Sequence, residues 1–426
     1  MRFPGRHGSV MALALDHCVR LDAEAAASRA LRQRFAPGAP DTLYFDANSI
    51  GPMPADAPAR VAAVLEQGWR MARRRSWNQD DWLEQPRKLG AALAHLIGAA
   101  PADVAVCDST SINQYKLLRH ALAAAAPRRV IAVERDVFPS NRYIAQGIAR
   151  AGLAELRLFD SVADLQAALA PGDVAVVALS HVDYRSSARL DMQAVTALAH
   201  AHGALALWDL SHSAGAVAID LNAADADFAV ACGYKYLCGG PGAPALLYVH
   251  PRWQHAAWPA LCGWMGHAAT FDFAADYVPA PGVARHLVGT PAVLANAAFG
   301  AAADIWRTAD MRMLDRQHQS LTDTLISLLA QECAHLGIEL GSPLAHAARG
   351  GHVAVRMTLP DANVNALGQA LVAAGVVVST RKPDALRFGV HPIVTSHVDL
   401  WHGVARLREI LESGRWRAPQ FAGEMI

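Results

Sequence analysis

The stretch Asp227–Val249, "DFAVACGYKYLCGGPGAPALLYV", sets one lysine, Lys235, between two tyrosines, behind an apolar run and ahead of a glycine and proline cluster. Lysine is almost never fully buried without a partner or a task. One reading is structural: the side chain lays its stem along apolar surface and keeps its ammonium wet. The other is chemical: a desolvated amine becomes a nucleophile able to form a Schiff base. Lys235 alone fits both, so the surrounding chain has to decide.

From about residue 100, short β-branched runs alternate with helical patterns. "VAVCDSTS" runs into "INQYKLLRHALAAA", "RRVIAVERD" precedes "SNRYIAQGIARAG", and "GDVAVVALSHV" precedes "MQAVTALAHAHG". "ALALWDLSHSAGA" and "DFAVACGYKY" follow. This alternation predicts βαβ units in an α/β fold with a mostly parallel, buried sheet. After Pro291, "AVLANAAFGAAADIWRTADMRMLDRQHQSLTDTLISLLAQ" reads as one long helical region. Beyond it, "GGHVAVRMTLP", "NALGQALVAAGVVVSTRKPDALRFGVHP" and "HVDLWHGVARLREILESG" predict a strand, a helix, a strand pair and a helix. The expected organisation is an N-terminal extension with a helix packed on the small domain (1–40) and a large domain (41–290). A connecting helical region (291–335) and a small α+β C-terminal domain (336–426) follow.

Asp209 shifts the balance for Lys235. It closes the run "ALALWD" and so belongs at the C-terminal end of a buried parallel strand, the edge where open α/β sheets bind ligands. An acid at a strand end, then a lysine after the next strand, is the layout of pyridoxal phosphate (PLP) enzymes of the aspartate-aminotransferase type. There a carboxylate keeps the pyridine nitrogen protonated, so that the ring acts as an electron sink. Thr110 and Ser111 of "DSTS" open a helix whose free N–H groups suit a phosphate. An ordinary N-cap accounts for either feature by itself. Taken in this chain order with Lys235, the three point to a PLP enzyme.

Composition limits the alternatives. The chain has 426 residues, is 53% hydrophobic and carries a formal net charge of 0, which argues against nucleic acid or anionic lipid as main partner. Six cysteines without a CxxC pair fit a reducing cytoplasm better than a disulfide framework or zinc site. No apolar run approaches the roughly 18–20 residues of a membrane span. The basic start followed by "VMALAL" is too short for a signal peptide, so a loose extension or a start at Met11 is expected.

The motifs "YFDANSIGPMP", "RSWNQDDWLEQP", "DSTSINQYKLL", "FPSNRY", "WDLSHSAGA", "CGYKYLCGGPGAPALLYV", "GWMGH" and "RKPDALRFGVHP" occur in that order from about Asp41 to Gly414. Together they resemble kynureninase, a family with the type I PLP-transferase fold. "YKYLCGGPG" and "DLSHSAGA" also fit cysteine desulfurase-like relatives; "FPSN", "GWMGH" and "RFGVHP" are more specific. The resemblance implies hydrolytic cleavage of L-kynurenine, or its 3-hydroxy form, to anthranilate and L-alanine in tryptophan catabolism.

By the same resemblance, Lys235 holds PLP and Asp209 pairs with its ring nitrogen. His212 packs beside the ring, Phe138 stacks on it, Ser180 touches it, and Thr110, Ser111 and Ser140 meet the phosphate. Pro139 and Asn141 complete the "FPSN" contact, and Tyr234 is tied to phosphate and proton transfer. Trp264 and Thr290 reach a site in the neighbouring subunit, which implies a homodimer. Arg387 grips the substrate α-carboxylate, as a bidentate guanidinium suits, and Ser49 approaches the same region. Asn141 is a departure: family members carry an aspartate after "FPS" or "FPT", and a carboxamide has no charge.

Other features have plainer readings. His200 and His202 of "HAHG" flank a helix end and lack metal spacing; no metal is expected. The arginines of "RMARRRSWN" read as a solvated face or an attraction for an anionic substrate, and Trp77 and Trp82 as an aryl-pocket wall or as core. Two alternatives stand beside kynurenine cleavage. One is another type I PLP reaction, as in a cysteine desulfurase, β-lyase or aminotransferase. The other is a PLP-fold protein that binds without catalysis.

Overall fold

The computed structural model describes Phe3 and residues 13–423. The expectations about a leader and a start at Met11 fall outside the described residues. The chain forms two compact units: Met1–Met53 with Asp183–Arg189 and Ala309–Ile426, and Pro54–Val182 with Leu190–Thr308.

The second unit is built on seven strands: β1 (Val104–Cys107), β2 (Val130–Glu134), β3 (Glu155–Phe159), β4 (Val174–Ser180), β5 (Leu205–Asp209), β6 (Phe228–Ala231) and β7 (Ala245–Val249). Their order is β1-β7-β6-β5-β4-β2-β3, and only β7 runs against its neighbours. Every residue of β1, β6 and β7 is buried, which is why these strands read as continuous apolar runs instead of alternating. Each fully buried valine, leucine or phenylalanine contributes about 1.5–3 kcal/mol. Helices α1 (Thr110–Ala124), α2 (Pro139–Arg150) and α3 (Met192–Ala201) supply crossovers.

Parallel register aligns the C-terminal ends of the central strands. Ser180, the last residue of β4, pairs with Asp209, the last of β5. The loop after β6 carries Lys235 and closes on itself through Gly239 N to Gly233 O at 2.8 Å. Gly233 is required there: a Cβ would stand 2.2 Å from the Pro244 carbonyl oxygen and 2.8 Å from the Phe299 ring. Gly240, at φ +86°, turns the chain where a side chain would be strained.

The helical stretch expected after Pro291 is two helices, α4 (Val293–Trp306) in the second unit and α5 (Met311–Glu332) in the first. No glycine or proline marks the break. Asp310 makes it by capping α5, its side chain accepting from Arg312 N at 2.9 Å and Met313 N at 3.2 Å.

In the first unit, β8 (Ile338–Leu340), β9 (His352–Met357), β10 (Ser379–Arg381) and β11 (Ala385–Gly389) form an antiparallel sheet in the order β10-β11-β9-β8. Helices α6 (Val364–Ala373) and α7 (His397–Ser413) share a core with α5. The short β8 escaped the sequence reading because a three-residue strand has no usable periodicity. Asp22, in the helix Leu15–Glu24, accepts from the His397 and Val398 amides and so caps the start of α7.

Candidate active site

In the second unit, Lys235 is half-buried, with Nζ 2.8 Å from His212 Nε2, which accepts from the ammonium. Nζ also lies 5.7 Å from the centre of the Phe138 ring and 6.0 Å from that of Tyr234. Phe138 is 38% exposed. The snorkelling alternative for Lys235 does not describe this setting, since its nitrogen is held by a buried histidine.

Asp209 stands at the end of β5 with both oxygens engaged. Oδ1 accepts from Ser211 N at 2.9 Å, and Oδ2 from Asn141 Nδ2 at 2.9 Å. Asn141 Nδ2 also lies 3.4 Å from Ser180 Oγ. Phe138 precedes α2, whose first residues are Pro139, Ser140 and Asn141, so "FPSN" delivers its side chains from one helix N-terminus.

Helix α1 begins at Thr110, capped by Ser109, whose hydroxyl accepts from Ile112 N at 3.3 Å. Thr110 and Ser111 therefore occupy the first turn, where backbone N–H groups lack helical partners. Thr110 Oγ1 lies 3.2 Å from Cys232 Sγ. Burial, with the Cys232 thiol beside it, pushes the Tyr234 phenol well above its ordinary range.

Two partners were not legible in the sequence. Cys232 joins Thr110 and Tyr234. Lys116, 1% exposed, sends its ammonium to Asp108 Oδ2 at 2.7 Å and His286 O at 2.8 Å, holding the turn before α1, where Asp108 has φ +46°. A lysine at the seventh position of a helix gives no local sign of such a contact.

Trp264 packs edge-on against Trp77, with centroids 5.6 Å apart, and Trp77 against Trp82 at 5.9 Å. Thr290 is exposed in the turn before α4. Trp77 and Trp82 line an open groove of about 680 Å³ with Leu65, Trp69, Arg70, Arg73 and Arg74. Arg70 is exposed and paired with Glu66 at 2.6 Å. His200 pairs with the buried Asp227 at 2.8 Å.

The first unit holds Arg387 and Ser49. Arg387, in β11, is buried; its Nε and Nη2 donate to Ser379 Oγ at 3.2 and 2.8 Å, and Nη1 to Tyr184 O at 2.6 Å. Ser49 Oγ donates to Asp46 Oδ1 at 2.8 Å. Burial pushes the Asp46 carboxyl up, against hydrogen bonds from Ser379 and Ser49 and the nearby Arg387 and Arg381 charges. Ser49 and Arg387 thus share a network through Asp46 and Ser379, neither of which the sequence reading singled out.

The family model of the kynureninase C-terminal domain matches residues 314–407. A kynureninase of Deinococcus radiodurans is 45% identical over 377 residues, 87% of this chain and 90% of that protein. One of Burkholderia pseudomallei is 44% identical over 398 residues, 92% and 94% of the two chains. The chain belongs to the kynureninase family. Its fold is that of type I PLP enzymes. The cystine C–S lyase C-DES, solved with its product cysteine persulfide, superposes with a TM-score of 0.73 at 22% identity, covering 88% of this chain and 99% of that one. The apo cysteine desulfurase of Thermococcus onnurineus gives a TM-score of 0.73 at 17% identity over 90% and 98%. At such identities these two show the fold alone. This kynureninase-family chain also lacks the loop nucleophile of a desulfurase at its late cysteine. Cys333 is fully buried at the end of α5, and burial pushes its thiol up to about 12.

Proposed function

We infer that this chain is a PLP-dependent hydrolase that cleaves the Cβ–Cγ bond of L-kynurenine with water, giving anthranilate and L-alanine. The observation that carries this is 44–45% identity to kynureninases over 87–92% of the chain. The residues present fit the cofactor. A helix N-terminus bearing Thr110 and Ser111 suits its phosphate. Phe138 offers an aromatic face, Asp209 a carboxylate for the ring nitrogen, and Lys235 an amine next to His212.

When bound, PLP supplies an electron sink for the pair left on a carbon that loses a proton. The remaining work belongs to the protein. Asp209 holds a proton on the ring nitrogen, with Asn141 and Ser211 fixing its two oxygens. Lys235 Nζ takes the proton from the substrate α-carbon. Tyr234 Oη and Lys235 Nζ share the remaining proton transfers, one of them protonating Cβ, which keeps the electron pair of the broken Cβ–Cγ bond. Thr110, Ser111, Ser140 and Tyr234 bind phosphate, and Pro139, Ser180 and His212 confine the ring. Arg387 takes the substrate α-carboxylate, with Ser49 in the same network. Water adds at the γ-carbonyl, the Cβ–Cγ bond breaks, and anthranilate leaves before alanine.

The same reading makes the enzyme a cytoplasmic homodimer of the kynurenine pathway, serving tryptophan catabolism and NAD biosynthesis, with Trp264 and Thr290 completing the neighbour's site. Among the described residues, no helix is long and apolar enough to cross a membrane and all six cysteines are free, which supports the compartment. The test is a spectrum of purified protein, then L-kynurenine with anthranilate fluorescence, in wild type and Lys235→Ala. Light scattering reads the dimer. Visible cofactor absorbance without anthranilate would favour another type I reaction.

A further inference from the structure

Asn141 stands at the position where the family resemblance calls for an aspartate. Its Nδ2 lies 2.9 Å from Asp209 Oδ2. A carboxylate only accepts, so the amide face towards it is the NH₂ and not the oxygen. The Asn141 residue is 5% exposed and its backbone is held: its N–H donates to Phe138 O at 2.9 Å, and Gln114 Nε2 donates to its backbone carbonyl at 3.1 Å. The Asp209 carboxylate therefore meets neutral donors at both oxygens, from Asn141 and from Ser211 N.

An aspartate at 141 would bring two carboxylates into hydrogen-bond contact. Carboxylates that close do not both ionise near neutral pH; they retain one proton between them. The natural asparagine avoids this sharing.

We propose that Asn141 is a positioning residue: its amide fixes the orientation of the Asp209 carboxylate and leaves it an unshared anion for the cofactor's ring nitrogen. This rests on the PLP reading above. Two effects separate in two variants. Asn141→Ala loses the oriented donor but adds no charge. Asn141→Asp is nearly isosteric and adds a carboxylate that must share a proton with Asp209.

The experiment is calorimetric titration of apoprotein with PLP near pH 7 in buffers of different ionisation enthalpy, giving affinity and protons taken up. Thermal unfolding confirms that each apoprotein is folded. Asn141→Ala should bind PLP about tenfold more weakly with wild-type proton uptake, the fold-change expected for one hydrogen bond to a charged group. Asn141→Asp should take up fewer protons than wild type, by up to one, because the apoprotein pair already holds the proton destined for the ring. A purely structural role would weaken binding in both without moving the proton count. Wild-type affinity in Asn141→Ala, or wild-type proton uptake in Asn141→Asp, overturns the proposal alone. A wild-type protein that binds no PLP overturns the cofactor reading and this inference with it.

Discussion

Replacing Arg387 by lysine keeps the charge and removes the fork. Arg387 now divides its donors between Ser379 Oγ, reached from Nε and Nη2 at 3.2 and 2.8 Å, and Tyr184 O, reached from Nη1 at 2.6 Å. A lysine has one nitrogen on a flexible stem and cannot span both partners while also serving a carboxylate. Hydrogen bonds to charged groups are worth about 1.5–3 kcal/mol each. Loss of one from the bound substrate should raise KM for L-kynurenine by roughly 10- to 150-fold. Because the grip acts on ground and transition states alike, kcat should stay within a few-fold. The assay is steady-state anthranilate fluorescence against substrate concentration, with urea unfolding in parallel. Stability should fall by about 1–3 kcal/mol, since the buried site loses a paired donor. A folded Arg387→Lys enzyme with wild-type KM would refute the reasoning and leave Arg387 as a brace for Ser379 and the Tyr184 carbonyl.

Gly233→Ala should destabilise the protein by about 1–3 kcal/mol and weaken PLP binding, because the added methyl meets the Pro244 carbonyl at 2.2 Å in the loop that carries Lys235; urea melts and a cofactor titration read both. His318 sets an acid limit. Burial pulls it down to about 3, with the His346 and Arg349 charges adding to that and a Gly351 backbone hydrogen bond opposing it. An unfolded histidine titrates near 6.5, so between about 6.5 and 3 the unfolded state binds a proton that the folded state refuses. Stability therefore drops as pH falls through that window, by up to about 1.4 kcal/mol per pH unit from this group. In His318→Leu, urea midpoints measured from pH 7 to 5 should fall less steeply; parallel profiles would contradict the assignment.

Legibility followed the range of the interactions. Strands such as Phe228–Ala231 and Ala245–Val249 showed as apolar runs because both their faces are covered, and burial on two sides writes itself into composition. The break between α4 and α5 did not show, because α4 stops at Trp306 and Asp310 caps the next helix with no glycine or proline between them. The places of Asp209 at a strand end, "FPSN" at a helix start and Lys235 in the loop after a buried strand were legible because residue type marks strand and helix ends. The supporting groups were not. Lys116, Cys232, Ser379 and Asp46 matter through partners distant in sequence, such as His286 for Lys116 and Thr110 for Cys232, and no local pattern announces such pairings.

The central claim is that Lys235 is the amine on which both cofactor and reaction depend. The most direct measurement is the visible absorption spectrum of PLP-supplemented wild type and Lys235→Ala, each then given L-kynurenine while anthranilate fluorescence is followed. The account predicts a lysine-dependent visible band and anthranilate release in the wild type, with both lost in the variant although it remains folded. An unchanged band and undiminished anthranilate release in Lys235→Ala would contradict it.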